Sequence, residues 1–203
     1  MRTWVWVGTG KREVARPISR TDSHSLWTVL LHWTSVVAII IAAASVLWRE
    51  WSDDDALRAL LMDVHRQSGN FVLVALGLRL VVRFGIGMGD PAGDMPLALR
   101  WAAQLAHGVM YAMLFALPIL GLAASSAHAT DVTLFGLLRL PRLASEDADL
   151  ADRLTDYHLW TAWGLLFLVV LHVAAAWWHH VVRKDRVLVA MLPVIGRRRV
   201  RAG

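Results

Sequence analysis

Residues 157–182 read YHLWTAWGLLFLVVLHVAAAWWHHVV, without one Asp, Glu, Lys or Arg. A helix crossing a bilayer needs about 20 predominantly apolar residues, and at roughly 1.5 Å per residue this stretch outlasts the hydrocarbon core. It stops at Arg183, Lys184 and Asp185. Three further stretches meet the same test. Residues 26–48 carry no formal charge. Residues 60–82 are interrupted by Asp63, His65, Arg66 and Arg79, yet 71–78 and 80–82 are apolar. Arg79, one turn from the end of that stretch, can snorkel to the interface. Residues 101–127 include Pro118, which kinks a membrane helix rather than breaking it, because neighbouring groups satisfy the freed carbonyl. The four stretches predict an all-α integral membrane protein, a four-helix transmembrane bundle.

Composition points the same way. The 203 residues are 57% hydrophobic and 18% charged, where soluble domains are about a quarter charged. Mean hydropathy is +0.48. The chain has no cysteine, which excludes disulfides, Cys-held zinc, iron–sulfur clusters and covalently attached c-type haem. The net charge of +5 does not mark a nucleic-acid binder, because the basic residues sit at the ends of the apolar stretches. Counting flanks with their loops, so that Arg79 goes with the second connection, the N-terminal segment, that connection and the tail carry fifteen of the Lys and Arg, and the other side six. The positive-inside rule then places both termini in the cytoplasm. Residues 1–25 lack the apolar core and cleavage site of a signal peptide and read as a basic cytoplasmic arm, 26–182 as the transmembrane domain, and 183–203 as a basic cytoplasmic tail.

Three connections join the spans, at 49–59, 83–100 and 128–156. The GIGMGD run in the second follows no strand and reads as a turn rather than a phosphate-binding loop. Glu146, Asp147, Asp149, Asp152 and Asp156 in the third read as a solvated acidic loop.

Polar groups inside a bilayer are expensive and mark function, so the nine histidines carry the argument. His24 and His128 lie near interfaces. His32, His107 and His172 lie well inside apolar stretches, His65 and His158 near the outer ends of the second and fourth, and His179 and His180 near the inner end of the fourth. His158 and His172 are fourteen residues apart, about 40° short of four helical turns, so both point the same way with a rise of about 21 Å. Two flat macrocycles stacked across a membrane need that separation, each with an axial imidazole from either side. By depth His65 matches His158. His32 falls near His172, but His179 lies on the same face and fits its depth about as well, so spacing leaves that partner open. Gly69, one turn from His65, leaves room for a ring edge.

At these residues the chain resembles the bacterial cytochrome b561 family, four-helix membrane proteins carrying two b-type haems. The matching stretches are LHW at His32, VHRQSG at His65, AHGVMYAMLFALPILG around His107, YHLW at His158 and LHVAAAWWHHVVRKD from Leu171. The resemblance implies that His32 and His172 hold the inner haem iron, and His65 and His158 the outer one. It also implies a bacterial inner-membrane location and a place for His107 beside a haem or quinone rather than as a ligand. The arm containing Trp4 and Trp6 does not align with the family. The second ring nitrogen of each ligand needs an acceptor, for which Asp63 and Asp156 are near in sequence, although carboxylates at that depth are commonly hydrated. Most of the 11 Trp fall at span ends, as an aromatic belt does, while Trp33 and Trp163 are deeper and can pack on a porphyrin. Arg79, Arg83 and Arg183 suit propionates or quinone oxygens, and topology alone also explains them.

The function expected is transfer of electrons across the inner membrane between a periplasmic one-electron donor and the ubiquinone pool. Similarity to the superoxide-oxidising members of the family makes superoxide the expected donor. Arg58, Arg66, Arg139, Arg142 and Arg153 would attract that anion, and the acidic residues of the same loops oppose them. The alternatives are a membrane anchor and electron conduit for a partner dehydrogenase or hydrogenase, and a haem-free transporter element or assembly factor.

Overall fold

The computed structural model describes residues 26–86, 96–184 and 187–192. The N-terminal arm with His24, Gly87 and Gly89 of the glycine run, Asp185, and the tail from 193 onward lie outside the described residues. Four long helices dominate: α1 (Leu26–Glu50), α2 (Asp55–Ile86), α3 (Leu97–Ala127) and α4 (Ala148–Trp178). All four are long and apolar enough to cross a membrane. Their hydroxyls are satisfied locally. Ser35 Oγ donates to the Leu31 carbonyl at 2.6 Å and Ser126 Oγ to that of Leu122 at 2.8 Å, so these polar groups cost little inside an apolar helix.

Three helices begin before the apolar stretches do. α2 begins at Asp55, capped by Asp54 Oδ1, which accepts from the Ala56 and Leu57 amides at 2.9 and 3.2 Å. α4 begins at Ala148, where Asp147 accepts from the Leu150 amide at 2.9 Å. The acidic segment expected as loop is therefore helical from its third residue onward. Hydropathy detects only the lipid-facing length, whereas side-chain caps set where a helix starts. At its other end α2 continues to Ile86, which puts Arg79 two turns inside the helix rather than one turn from its end. α3 runs from Leu97 through Pro118 to Ala127.

The remainder of the third connection forms a small hairpin, β1 (Thr133–Leu134) paired antiparallel with β2 (Leu138–Arg139). Phe135 and Gly136 both have positive φ, as a primed turn requires. The Gln67 side chain anchors it to α2: Nε2 donates to the Thr133 carbonyl and Oε1 accepts from the Phe135 amide, each at 2.9 Å.

α1 packs along α2 and α3 along α4, with a lighter seam between α2 and α3. Small residues allow the close approach, as membrane bundles require. Ser35, Ala38 and Ser45 of α1 are buried, and Gly164 of α4 sits where a Cβ would fall 2.8 Å from Met113 Cε. Large apolar side chains face outward, Ile40 being 60% and Val170 57% exposed. Such a surface belongs against lipid. Beyond α4 a π turn, His179–Arg183, ends at Lys184 in the left-handed region. The short α5 (Val187–Ala190) follows, and the Met191 carbonyl accepts from Trp33 Nε1 of α1 at 2.7 Å.

Candidate functional site

Two pairs of histidine rings meet between the helices. His65 of α2 faces His158 of α4 with ring centroids 5.9 Å apart, and His32 of α1 faces His172 of α4 at 6.5 Å. α4 supplies one member of each pair because fourteen residues bring its side chains back to nearly the same face. Backbone carbonyls hold the His65–His158 pair. His65 Nδ1 lies 2.9 Å from the Ala42 carbonyl of α1, and His158 Nδ1 lies 2.9 Å from the Leu117 carbonyl of α3. A carbonyl can only accept, so both rings carry a proton on Nδ1, which leaves Nε2 as the nitrogen that can bind a metal. These carbonyls fill the place that sequence offered to Asp63 and Asp156. Asp63 Oδ1 instead accepts from Gln67 Nε2 at 3.4 Å.

Gly121 permits the outer geometry. It lies one turn beyond Leu117 on α3, and a Cβ there would stand 3.4 Å from both Cε1 and Nδ1 of His158. The ring therefore lies flush against the α3 backbone, which a side chain longer than that of alanine would prevent. On α2, a Cβ at Gly69 would meet nothing within 4 Å, so protein atoms leave space one turn from His65.

The His32–His172 pair has a third ring beside it. His107 of α3 lies 5.3 Å from His172 between centroids, and its Nδ1 donates to the Ala103 carbonyl at 2.7 Å. His179, an equal candidate by spacing, sits in the π turn with its ring 5.2 Å from that of Trp178. Trp33 packs edge-on against His32 at 5.6 Å, whereas Trp163 is 58% exposed. His128 and His180 are exposed. Arg79 reaches inward, its Nη2 3.3 Å from His32 Nδ1 and its Cζ 5.3 Å from the Tyr111 ring centroid.

The donor set fits a haem. A metal–imidazole bond of about 2 Å, plus roughly 1 Å from that nitrogen to the ring centre, puts two axial imidazoles about 6 Å apart between centroids. Both pairs lie near that separation. Among the described residues no three His, Cys, Asp or Glu converge to hold a bare metal ion, so each pair suits a metal that brings its equatorial donors with it. Gly121, Gln67 and the two carbonyl acceptors are not singled out by the sequence. Gly121 and Gln67 left a trace there, Gly121 four residues after Leu117 and Gln67 two residues after His65 in the quoted motifs.

A family model described as prokaryotic cytochrome b561 matches residues 23–194. The chain is 29% identical over 170 residues to the probable superoxide oxidase CybB of Yersinia pestis, covering 84% of this chain and 96% of that protein. It is 27% identical over 175 residues to cytochrome b561 homolog 2 of Escherichia coli (strain K12), covering 84% and 92%. Homolog 1 of the same organism is 29% identical over 170 residues, covering 81% and 94%. With four spanning helices and a match over most of its length, the chain belongs to the prokaryotic cytochrome b561 family of membrane electron-transfer proteins that bind haem b.

Proposed function

We propose that this cytochrome carries two haem b groups, one between His65 and His158 and one between His32 and His172. It passes electrons from an outer one-electron donor to ubiquinone, with both termini cytoplasmic. The observation that carries this reading is the pairing of two imidazoles at each of two levels of one helix, about 21 Å apart along α4. Held by these imidazole pairs, haem b would supply one-electron outer-sphere chemistry rather than oxygen binding. The residues do the rest. Ala42 and Leu117 fix the tautomers of His65 and His158, the apolar helix faces exclude water, and α4 sets the spacing.

Superoxide is the donor this reading favours, supported by the name of the Yersinia pestis relative. Two superoxide radicals each give up one electron and leave as O2; the two electrons and two protons convert ubiquinone to ubiquinol. The outer charges are distributed unevenly for this task. Arg139 and Arg142 are paired with Asp131 at 3.4 and 2.9 Å. Arg66, next to His65, keeps its Nε buried without a hydrogen-bond partner among the described residues, with Asp63 near enough to offset part of its charge.

The test is a reduced-minus-oxidised spectrum of the purified protein with pyridine haemochrome quantitation. Two haem b per chain are expected in the wild type, and one in His65→Ala or His32→Ala. Superoxide should reduce the haem and ubiquinone reoxidise it. Haem unchanged by superoxide, with two haems present, removes superoxide as donor and leaves the electron path intact.

A further inference from the structure

Arg79 and Arg83 lie one turn apart on α2 and are both half-buried within its membrane-spanning length. Their guanidinium carbons stand 5.3 and 5.7 Å from the same Tyr111 ring on α3. Two like charges thus converge on one aromatic side chain, and neither makes an ion pair with a described carboxylate. The ring faces offset part of the repulsion, but paired cations inside a bilayer call for a counter-charge. The tautomer of His32 sharpens that demand. An imidazole that binds metal through Nε2 carries its proton on Nδ1, so it cannot then accept from Arg79, whose Nη2 lies 3.3 Å away. The guanidinium is left needing an acceptor at that place.

We infer that Arg79, Arg83 and Tyr111 form a carboxylate clamp at the inner end of the bundle that takes a propionate of the haem held by His32 and His172. This rests on the two-haem reading above. Guanidinium forks match a carboxylate in geometry as well as charge, and the tyrosine hydroxyl adds a third donor. An anionic lipid phosphate offers the same oxyanion chemistry. The haem carboxylate is favoured because Arg79 touches His32 itself, and because Tyr111 lies one turn from His107, whose ring meets His172.

The test uses the full-length holoprotein and Arg83→Gln, since Arg83 contacts Tyr111 and neither inner imidazole. Midpoint potentials are titrated for each haem, and redox-difference infrared spectra are recorded with haem carrying 13C-labelled propionates. Both haems should remain. The inner haem should become harder to reduce, because a nearby cation favours the added electron; its propionate bands should shift; and the outer haem should stay unchanged. Arg83→Lys should restore much of the potential, and Tyr111→Phe should move the bands without removing a charge. Unchanged inner-haem potential and bands in Arg83→Gln overturn the clamp. So does a wild-type potential that moves when phosphatidylglycerol nanodiscs are exchanged for phosphatidylcholine ones, which would assign the site to lipid phosphate. A wild type lacking the inner haem overturns the two-haem reading itself, and is told apart by the haem count.

Discussion

Replacing Gly121 by valine should empty the outer haem site and spare the inner one. A Cβ at this position would stand 3.4 Å from His158 Cε1 and Nδ1, which is ordinary contact, so Gly121→Ala should be tolerated. Valine adds two methyl groups beyond that Cβ, and the imidazole must leave the α3 backbone to make room. It then loses its 2.9 Å hydrogen bond to the Leu117 carbonyl, worth about 1 kcal/mol, and suffers overpacking of about 1–3 kcal/mol. The total of about 2–4 kcal/mol corresponds to a loss of roughly 30- to 700-fold in affinity for whatever the outer pair binds. The assay is haem per chain by pyridine haemochrome, with electron paramagnetic resonance to separate the two low-spin signals and circular dichroism to confirm the fold. One haem with the inner signal intact is expected in the valine variant, and two in the alanine variant. A folded Gly121→Val protein with two haems and an unaltered outer signal would show that the close approach of His158 to α3 does not matter.

Three other perturbations follow from particular contacts. Gln67→Ala removes both hydrogen bonds that tie the hairpin to α2, about 1–3 kcal/mol of local stability. Hydrogen exchange at residues 133–139 should accelerate about 5- to 150-fold while the haem spectrum stays the same, and unchanged exchange refutes the anchor. Asp147→Ala deletes the α4 cap and should cost about 1 kcal/mol, read as a lowered Tm in detergent. Asp147→Asn should behave as wild type. Trp33→Phe removes the Nε1 donor to the Met191 carbonyl and should expose the segment after Lys184 to limited proteolysis with both haems retained. Equal proteolysis rates in the two proteins would show that the contact does not hold the tail.

Much of this architecture is local and therefore legible in the sequence. Bilayer thickness and the cost of buried charge make a 26-residue uncharged run a spanning helix whatever surrounds it, and helical period alone puts His158 and His172 on one face. The ends of the helices were less legible, because caps such as Asp54 and Asp147 lie outside the apolar signal. Pairing between helices was decided only in three dimensions. His32 meets His172 because α1 and α4 face each other at that level, while the π turn sets His179 against Trp178. The acceptors for His65 and His158 are main-chain carbonyls of α1 and α3, which carry no side-chain signature. Arg79, whose sequence position suits an interfacial cation, turns inward to His32 and Tyr111 because α2 runs two further turns and keeps it inside the bundle. Periodicity fixes which residues share a face of one helix; which faces meet depends on helix packing, and that is a property of the whole chain.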